Sequence, residues 1–145
     1  MVKKIFLILI QIFIFVSCTG KTTPIRIMIN DKEYKFEVAA TEKSREVGLM
    51  FRKKLDKDSG MLFIYKYERL MAFYMKNTYI PLSIAFINKN FEIINIENGE
   101  PLDESNIESI GPAMYVLEVN RGFFERVGLK VGDKLDIVSA IPYIE

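Results

Sequence analysis

The chain predicts a mainly β (β-rich α+β) single domain, a β-sandwich or barrel-like fold with two or three short helices. Three observations carry this. Short apolar runs alternate with period two, as in Ile25–Asn30, Tyr34–Val38 and Leu82–Ile87. Turn-forming residues separate the runs at short intervals: Asn30-Asp31, Asn88-Lys89-Asn90 and Gly132-Asp133. Helix-end signals occur in only two places, near residues 42 and 121. A chain of 145 residues is long enough for one modest core.

The N-terminus stands apart. Met1–Ser17 has two lysines, Lys3 and Lys4, followed by an apolar run to Val16 broken only by Gln11. That is the anatomy of a secretory signal, and the run is shorter than the roughly 20 residues a membrane span needs. Cys18 is the sole cysteine and sits where the run ends. Phe15-Val16-Ser17-Cys18 resembles a bacterial lipobox, whose cysteine is acylated; the alternative is a chance cysteine beside an ordinary cleavage site. Residues 18–24 read as a tether with lipidated Cys18, and residues 25–145 as one β-rich domain. The expected location is the cell envelope, exported and held to a membrane by lipid.

The elements follow in order. Ile25, Ile27 and Ile29 alternate with Arg26 and Met28, and Tyr34, Phe36 and Val38 share one face across the Asn30-Asp31 turn, which makes a hairpin. Thr41 caps a helix over residues 42–50 with Glu42 in its first turn, Val47 and Met50 inward and Glu42, Lys43 and Glu46 outward. Met61–Tyr65 reads as a strand buried on both faces, Lys66–Arg69 as a polar turn and Met71–Met75 as a strand. Leu82–Ile87 and Phe91–Ile96 pair across a three-residue loop. Asn98–Ile110 reads as a long loop with one helical turn near Glu104–Glu108. Tyr115–Val119 is a strand. Asn120 caps a helix over Arg121–Val127 that ends at Gly128, and Lys134–Ala140 is the last strand.

Composition removes several function classes. Without Met1–Ser17 the chain carries 18 basic and 19 acidic side chains, scattered and with no basic stripe, so a nucleic-acid partner is not expected. With no histidine, and Cys18 assigned to lipid, there is no Ser-His-Asp or Cys-His arrangement and no ordinary zinc site. No cofactor and no metal are expected. Met50, Met61, Met71, Met75 and Met114, with Phe63, Phe73 and Tyr74, could line an apolar pocket or offer thioethers to Cu(I), but they are spread over different elements and read better as core.

Five blocks occur in order: Arg45-x-x-Gly48-Leu49-Met50-x-Arg52, Gly60-Met61-Leu62-Phe63, Phe73-Tyr74-Met75-Lys76-Asn77-Thr78-x-Ile80-Pro81-Leu82, Tyr115-Val116-Leu117-Glu118 with Gly122, and Gly132-Asp133. Together they resemble the domain-of-unknown-function family 192 of small exported or membrane-attached bacterial and archaeal proteins. The resemblance covers about residues 25–140. It implies a compact β-sandwich-like fold with short helices and supplies no established reaction. The family usually has tryptophan at Tyr74 and aspartate at Ser83, and some relatives carry cysteines in the loop matching residues 98–113.

The candidate site gathers around Lys76-Asn77-Thr78, a polar knot between two apolar runs. As a pocket rim, Lys76 attracts an anion while Asn77 and Thr78 form hydrogen bonds. As a structural turn, Lys76 neutralises Glu118, which lies mid-strand between Leu117 and Val119. Arg45 and Arg52 are seven residues apart, so in a continuing helix they could share a face and clamp a carboxylate or phosphate; alternatively Arg45 pins its helix to backbone carbonyls. Gly48 would let that helix approach a strand. The expected function is an envelope lipoprotein that binds a small molecule or partner protein through Arg45, Arg52, Lys76, Asn77, Thr78 and Glu118. The alternatives are a hydrolase or lyase acting on an envelope saccharide, with Glu118 as acid or base, and a structural or assembly lipoprotein.

Overall fold

The structure is a computed structural model that describes residues 23–142 and 144. The expected signal, Cys18 and most of the tether lie outside the described residues. The fold is β-rich, as expected. Seven strands form one curled, half-barrel sheet in the order β6-β5-β8-β3-β2-β1-β9: β1 (Ile25–Ile29), β2 (Lys32–Ala39), β3 (Gly60–Arg69), β5 (Leu82–Ile87), β6 (Ile93–Gly99), β8 (Ala113–Asn120) and β9 (Asp136–Ile137). A small ribbon pairs β4 (Ala72–Phe73) with β7 (Ile107–Glu108).

The β1–β2 hairpin turns through Asn30 and Asp31, both left-handed (φ 47° and 61°), a geometry these residues tolerate. β2 and β3 run parallel, so the chain must cross over between them. That crossover contains α1 (Glu42–Val47). The other neighbours in the sheet are antiparallel. The sheet's two ends approach each other: Ile93 N–H donates to Asp133 O and Leu135 N–H to Phe91 O, beside a Glu92–Lys134 bridge.

Each face of the sheet carries a core. The inner face joins Ile27, Phe36, Leu62, Ile64, Leu117 and Val119 and is plugged by α2 (Phe123–Val127), whose Phe123 meets Tyr34 and Phe36 edge-on at 5.4 and 5.9 Å. The outer face joins Met61, Phe63, Ile84, Phe86 and Val116 and is covered by Leu49, Met71 and Met75. A strand with a covered outer as well as inner face reads as a continuous apolar run, which is why Leu82–Ile87 is buried at every position.

Several expected boundaries move. Strand β3 continues through Lys66–Arg69, past a register shift, instead of turning there. The expected Met71–Met75 strand shrinks to β4, because Met71 and Met75 fold onto the outer core on either side of it. Residues 107 and 108 form β7, not a helical turn. The last strand is only Asp136–Ile137. Asn120 does not cap α2; its side-chain amide donates to Leu55 O and Asp56 O, and Gly122 takes the cap position. Helix α1 stops at Val47, because Gly48 adopts φ 48° and sends Leu49 into the outer core; Val47 is left exposed instead of inward.

Candidate functional site

The site is built where α1 crosses the outer face. In register across the sheet, Ile84, Glu118 and Met61 stand side by side, with Glu37 next in the row on β2. A glutamate thus occupies a core position. It is 6% exposed, and burial alone pushes its carboxyl up to about 8, with neither a hydrogen bond nor a neighbouring charge among the causes. A buried carboxyl without a partner is costly, so it is either protonated or waiting for a partner.

Glu118 opens into a cavity of about 110 Å³. α1 and its turn contribute Arg45, Glu46, Gly48 and Leu49 to the lining, β3 contributes Phe63 and Tyr65, and β4 and the residue after it contribute Phe73 and Tyr74. Phe63 and Phe73 meet edge-on at 5.2 Å. Gly48 is where α1 comes closest: a Cβ there would lie 2.9 Å from the Phe63 ring, and its positive φ independently favours glycine. The expected close approach at Gly48 therefore holds.

Arg45 anchors this arrangement. Its Nη1 donates to Ala40 O (2.6 Å) and Ile64 O (3.0 Å), tying α1 to the residue after β2 and to the middle of β3, and its guanidinium lies 5.0 Å from the centre of the Tyr65 ring. Arg69 sits 4.5 Å from the centre of the same ring. Burial raises the Tyr65 hydroxyl's pKa, against the lowering effect of Arg69.

The expected site residues are only partly assembled. Glu118, Arg45 and Thr78 line the cavity; Lys76, Asn77 and Arg52 do not. The expected pairing of Lys76 with Glu118 is corrected. Met75 before it and Thr78 after it are buried, and the turn between leaves Lys76 exposed. Asn77 is left-handed (φ 53°) and its carbonyl accepts from Phe51 N–H, while Thr78 O accepts from Leu102 N–H. Lys76-Asn77-Thr78 is thus a structural junction between three loops. The expected clamp of Arg45 with Arg52 is also corrected: α1 ends between them, and Arg52 forms a two-armed pair with Glu37 of β2 instead (2.7 Å for the Nη2 arm).

Two lining residues escaped the sequence reading. Tyr65 extends the Met61–Phe63 alternation by one step and so faces outward beside Glu118. Glu46, expected on the outward face of the helix, is exposed and lines the cavity mouth. Of the two departures from the family pattern, Tyr74 stands at the cavity. Ser83 lies on the inner face, where it accepts from Gly122 N–H (3.1 Å) and donates to Asn98 Oδ1 (3.0 Å).

Comparison with known proteins gives a fold and a family without an activity. No curated protein matches the chain. A solved structure from Sinorhizobium meliloti 1021, provisionally described as a transcription regulator, is 37% identical with a TM-score of 0.71, over 79% of this chain and 92% of that one. A protein of unknown function from Novosphingobium aromaticivorans DSM 12444 is 35% identical with a TM-score of 0.70, over 78% of this chain and 83% of that one. The family model DUF192, described as Uncharacterized ACR, matches residues 25–137, and the chain belongs to that family.

Proposed function

We propose that this chain is a small-molecule-binding module of the cell envelope. It is exported on the Met1–Ser17 signal, acylated at Cys18 and tethered to a membrane, with its ligand seated in the cavity beneath α1. The observation that carries the binding role is Glu118, a buried carboxyl that no hydrogen bond or ion pair satisfies among the described residues and that lines an aromatic-walled cavity. Buried polar groups are ordinarily hydrogen-bonded, so an unmet one in a cavity points to a partner that arrives from outside. A tether of about seven residues spans at most roughly 25 Å, which keeps the domain close to the lipid.

Native mass spectrometry of the full chain, purified gently, tests the binding role. The expected result is a co-purified small molecule that is lost from Val47→Trp, which blocks the cavity mouth at an exposed position. A bare chain that also gives no thermal shift with envelope metabolites overturns it. Palmitate labelling that survives Cys18→Ala would overturn the anchor.

Glu46 supports a second reading. It places another carboxylate on the same cavity, so a hydrolase or lyase with Glu118 as general acid is the alternative. Turnover of an envelope saccharide that is abolished in both Glu118→Gln and Glu46→Gln would favour that reading over simple binding.

A further inference from the structure

We infer that the cavity's ligand is an organic cation, a primary or substituted ammonium on a short apolar stem. Its nitrogen would meet Glu118 and its stem would lie among Leu49, Phe63 and Phe73. This rests on the binding role proposed above and names the chemistry of its ligand. Two features of the walls point the same way. The two buried polar side chains among the described lining residues are the Thr78 hydroxyl and the Glu118 carboxyl; only Glu118 can carry charge, and it is set between Met61 and Ile84. Four of the lining residues, Phe63, Tyr65, Phe73 and Tyr74, are aromatic. Aromatic faces attract cations, and aromatic cages with a carboxylate suit ammonium groups. Tyr65 already shows this preference, with guanidinium groups at 5.0 and 4.5 Å.

The other charged groups around the cavity leave room for one added cation. Arg45 and Glu46 both come from the α1 side and are of opposite sign. Arg69 stacks on Tyr65 and belongs to the adjoining groove, where Glu42 is also present. In the row behind Glu118, Glu37 is neutralised by Arg52. With Glu118 ionised, the described lining residues Arg45, Glu46 and Glu118 carry a formal net charge of −1, which an ammonium would neutralise. The size is consistent: an apolar cavity of about 150 Å³ holds benzene, so about 110 Å³ takes a chain of four or five heavy atoms. A larger ligand would leave the rest of its body at the mouth, beside Val47 and Tyr74.

Binding transfers a proton. The ammonium arrives charged, the neutral Glu118 carboxyl gives its proton to buffer, and a carboxylate–ammonium pair remains. Calorimetric titration of the full chain with n-butylammonium, 1-butanol and butyrate, in two buffers of different ionisation enthalpy, tests the inference. The expected result is butylammonium binding about tenfold or more tighter than butanol. Up to one proton should be released per site at pH 7 and almost none at pH 9. Glu118→Gln should erase the tenfold preference while staying folded, and Tyr74→Ala, at an exposed rim position, should reduce it.

Butanol or butyrate binding as tightly as the amine would overturn the cationic ligand and leave the binding module standing, provided Val47→Trp blocks them. A preference that survives Glu118→Gln would overturn it too. Absence of binding by all three probes, in a chain that also carries no co-purified molecule, would overturn the ligand class and the binding module together.

Discussion

Glu118 costs the fold stability, and the direction of that cost with pH follows from where its proton sits. Burial raises its pKa from 4.5 to about 8. The unfolded chain releases this proton near pH 4.5, while the native state keeps it until about 8. Stability from this group is therefore fullest below about pH 4.5, falls as pH rises through that window at roughly 1.4 kcal/mol per unit, and is wholly lost above it. Glu37 works in the opposite direction, because the Arg52 hydrogen bond holds its carboxyl below the usual value. Its contribution is present above its unfolded pKa of 4.5 and is lost as pH falls, and its exposure keeps it small. The two windows lie on opposite sides of pH 4.5, so the range from pH 5.5 to 8.5 isolates Glu118. In urea titrations the native chain should be less stable at pH 8.5 than at 5.5 by a few kcal/mol, and Glu118→Gln should be nearly flat. Parallel losses in both proteins would show that another group titrates.

At the scale of elements, α1 is the weakest support of the site. It has six residues and buries none of them, so neither length nor an apolar face sustains it. Its stability comes from its ends. Thr41 Oγ1 accepts from Ser44 N–H (3.1 Å) and Ser44 Oγ accepts from Thr41 N–H (2.9 Å), a reciprocal cap, and Arg45 ties the last turn to the sheet. Thr41→Ala should cost about 1 kcal/mol and increase amide exchange at Arg45 and Gly48, whose N–H groups close the helix, before it affects β8. Uniform acceleration across α1 and β8 would mean that α1 does not open by itself. The same element marks the limit of what the sequence discloses. Thr41 as cap and Gly48 as close contact are readable, because each is a local demand on one residue. Where Arg52 points is not, since Gly48 redirects the chain and Glu37 lies on a strand fifteen residues earlier. Strands β1, β2 and β5 are legible from their alternation. β4 and β7 are not, because two residues carry no period and their pairing joins segments distant in the chain, Ala72 with Glu108 and Phe73 with Ile107. At the site, Glu118 is conspicuous between Leu117 and Val119, but the aromatic cavity it faces is assembled from four separate segments.

The described residues form a seven-stranded sheet with a core on each face, plus the small β4–β7 ribbon, and β3, β5 and β8 contribute to both cores. A strand shared in this way cannot lose one face without disturbing the other, so the inner and outer cores should unfold together. The weaker question is the seam where the curled sheet closes. Residues 132–135 approach the start of β6 through Gly132 N–H to Ile93 O, Ile93 N–H to Asp133 O and Leu135 N–H to Phe91 O. Between them Leu135 is buried in the inner core, so the seam is held by side-chain packing as well as by backbone bonds. Leu135→Ala removes that packing and should destabilise the native state by about 2–4 kcal/mol, in the range for a buried leucine. If the seam belongs to the cooperative unit, the Ile93 and Leu135 amides exchange through the same global opening as Leu117 and Val119, and the substitution lowers all four by the same amount. If they exchange faster in the native chain, and Leu135→Ala accelerates only them, the closure is a separately opening flap. The hydrogen bonds alone do not decide between these outcomes, because exposed backbone bonds at a sheet's edge open easily. The buried leucine does, since exposing it costs free energy comparable to a sizeable fraction of a small domain's total stability.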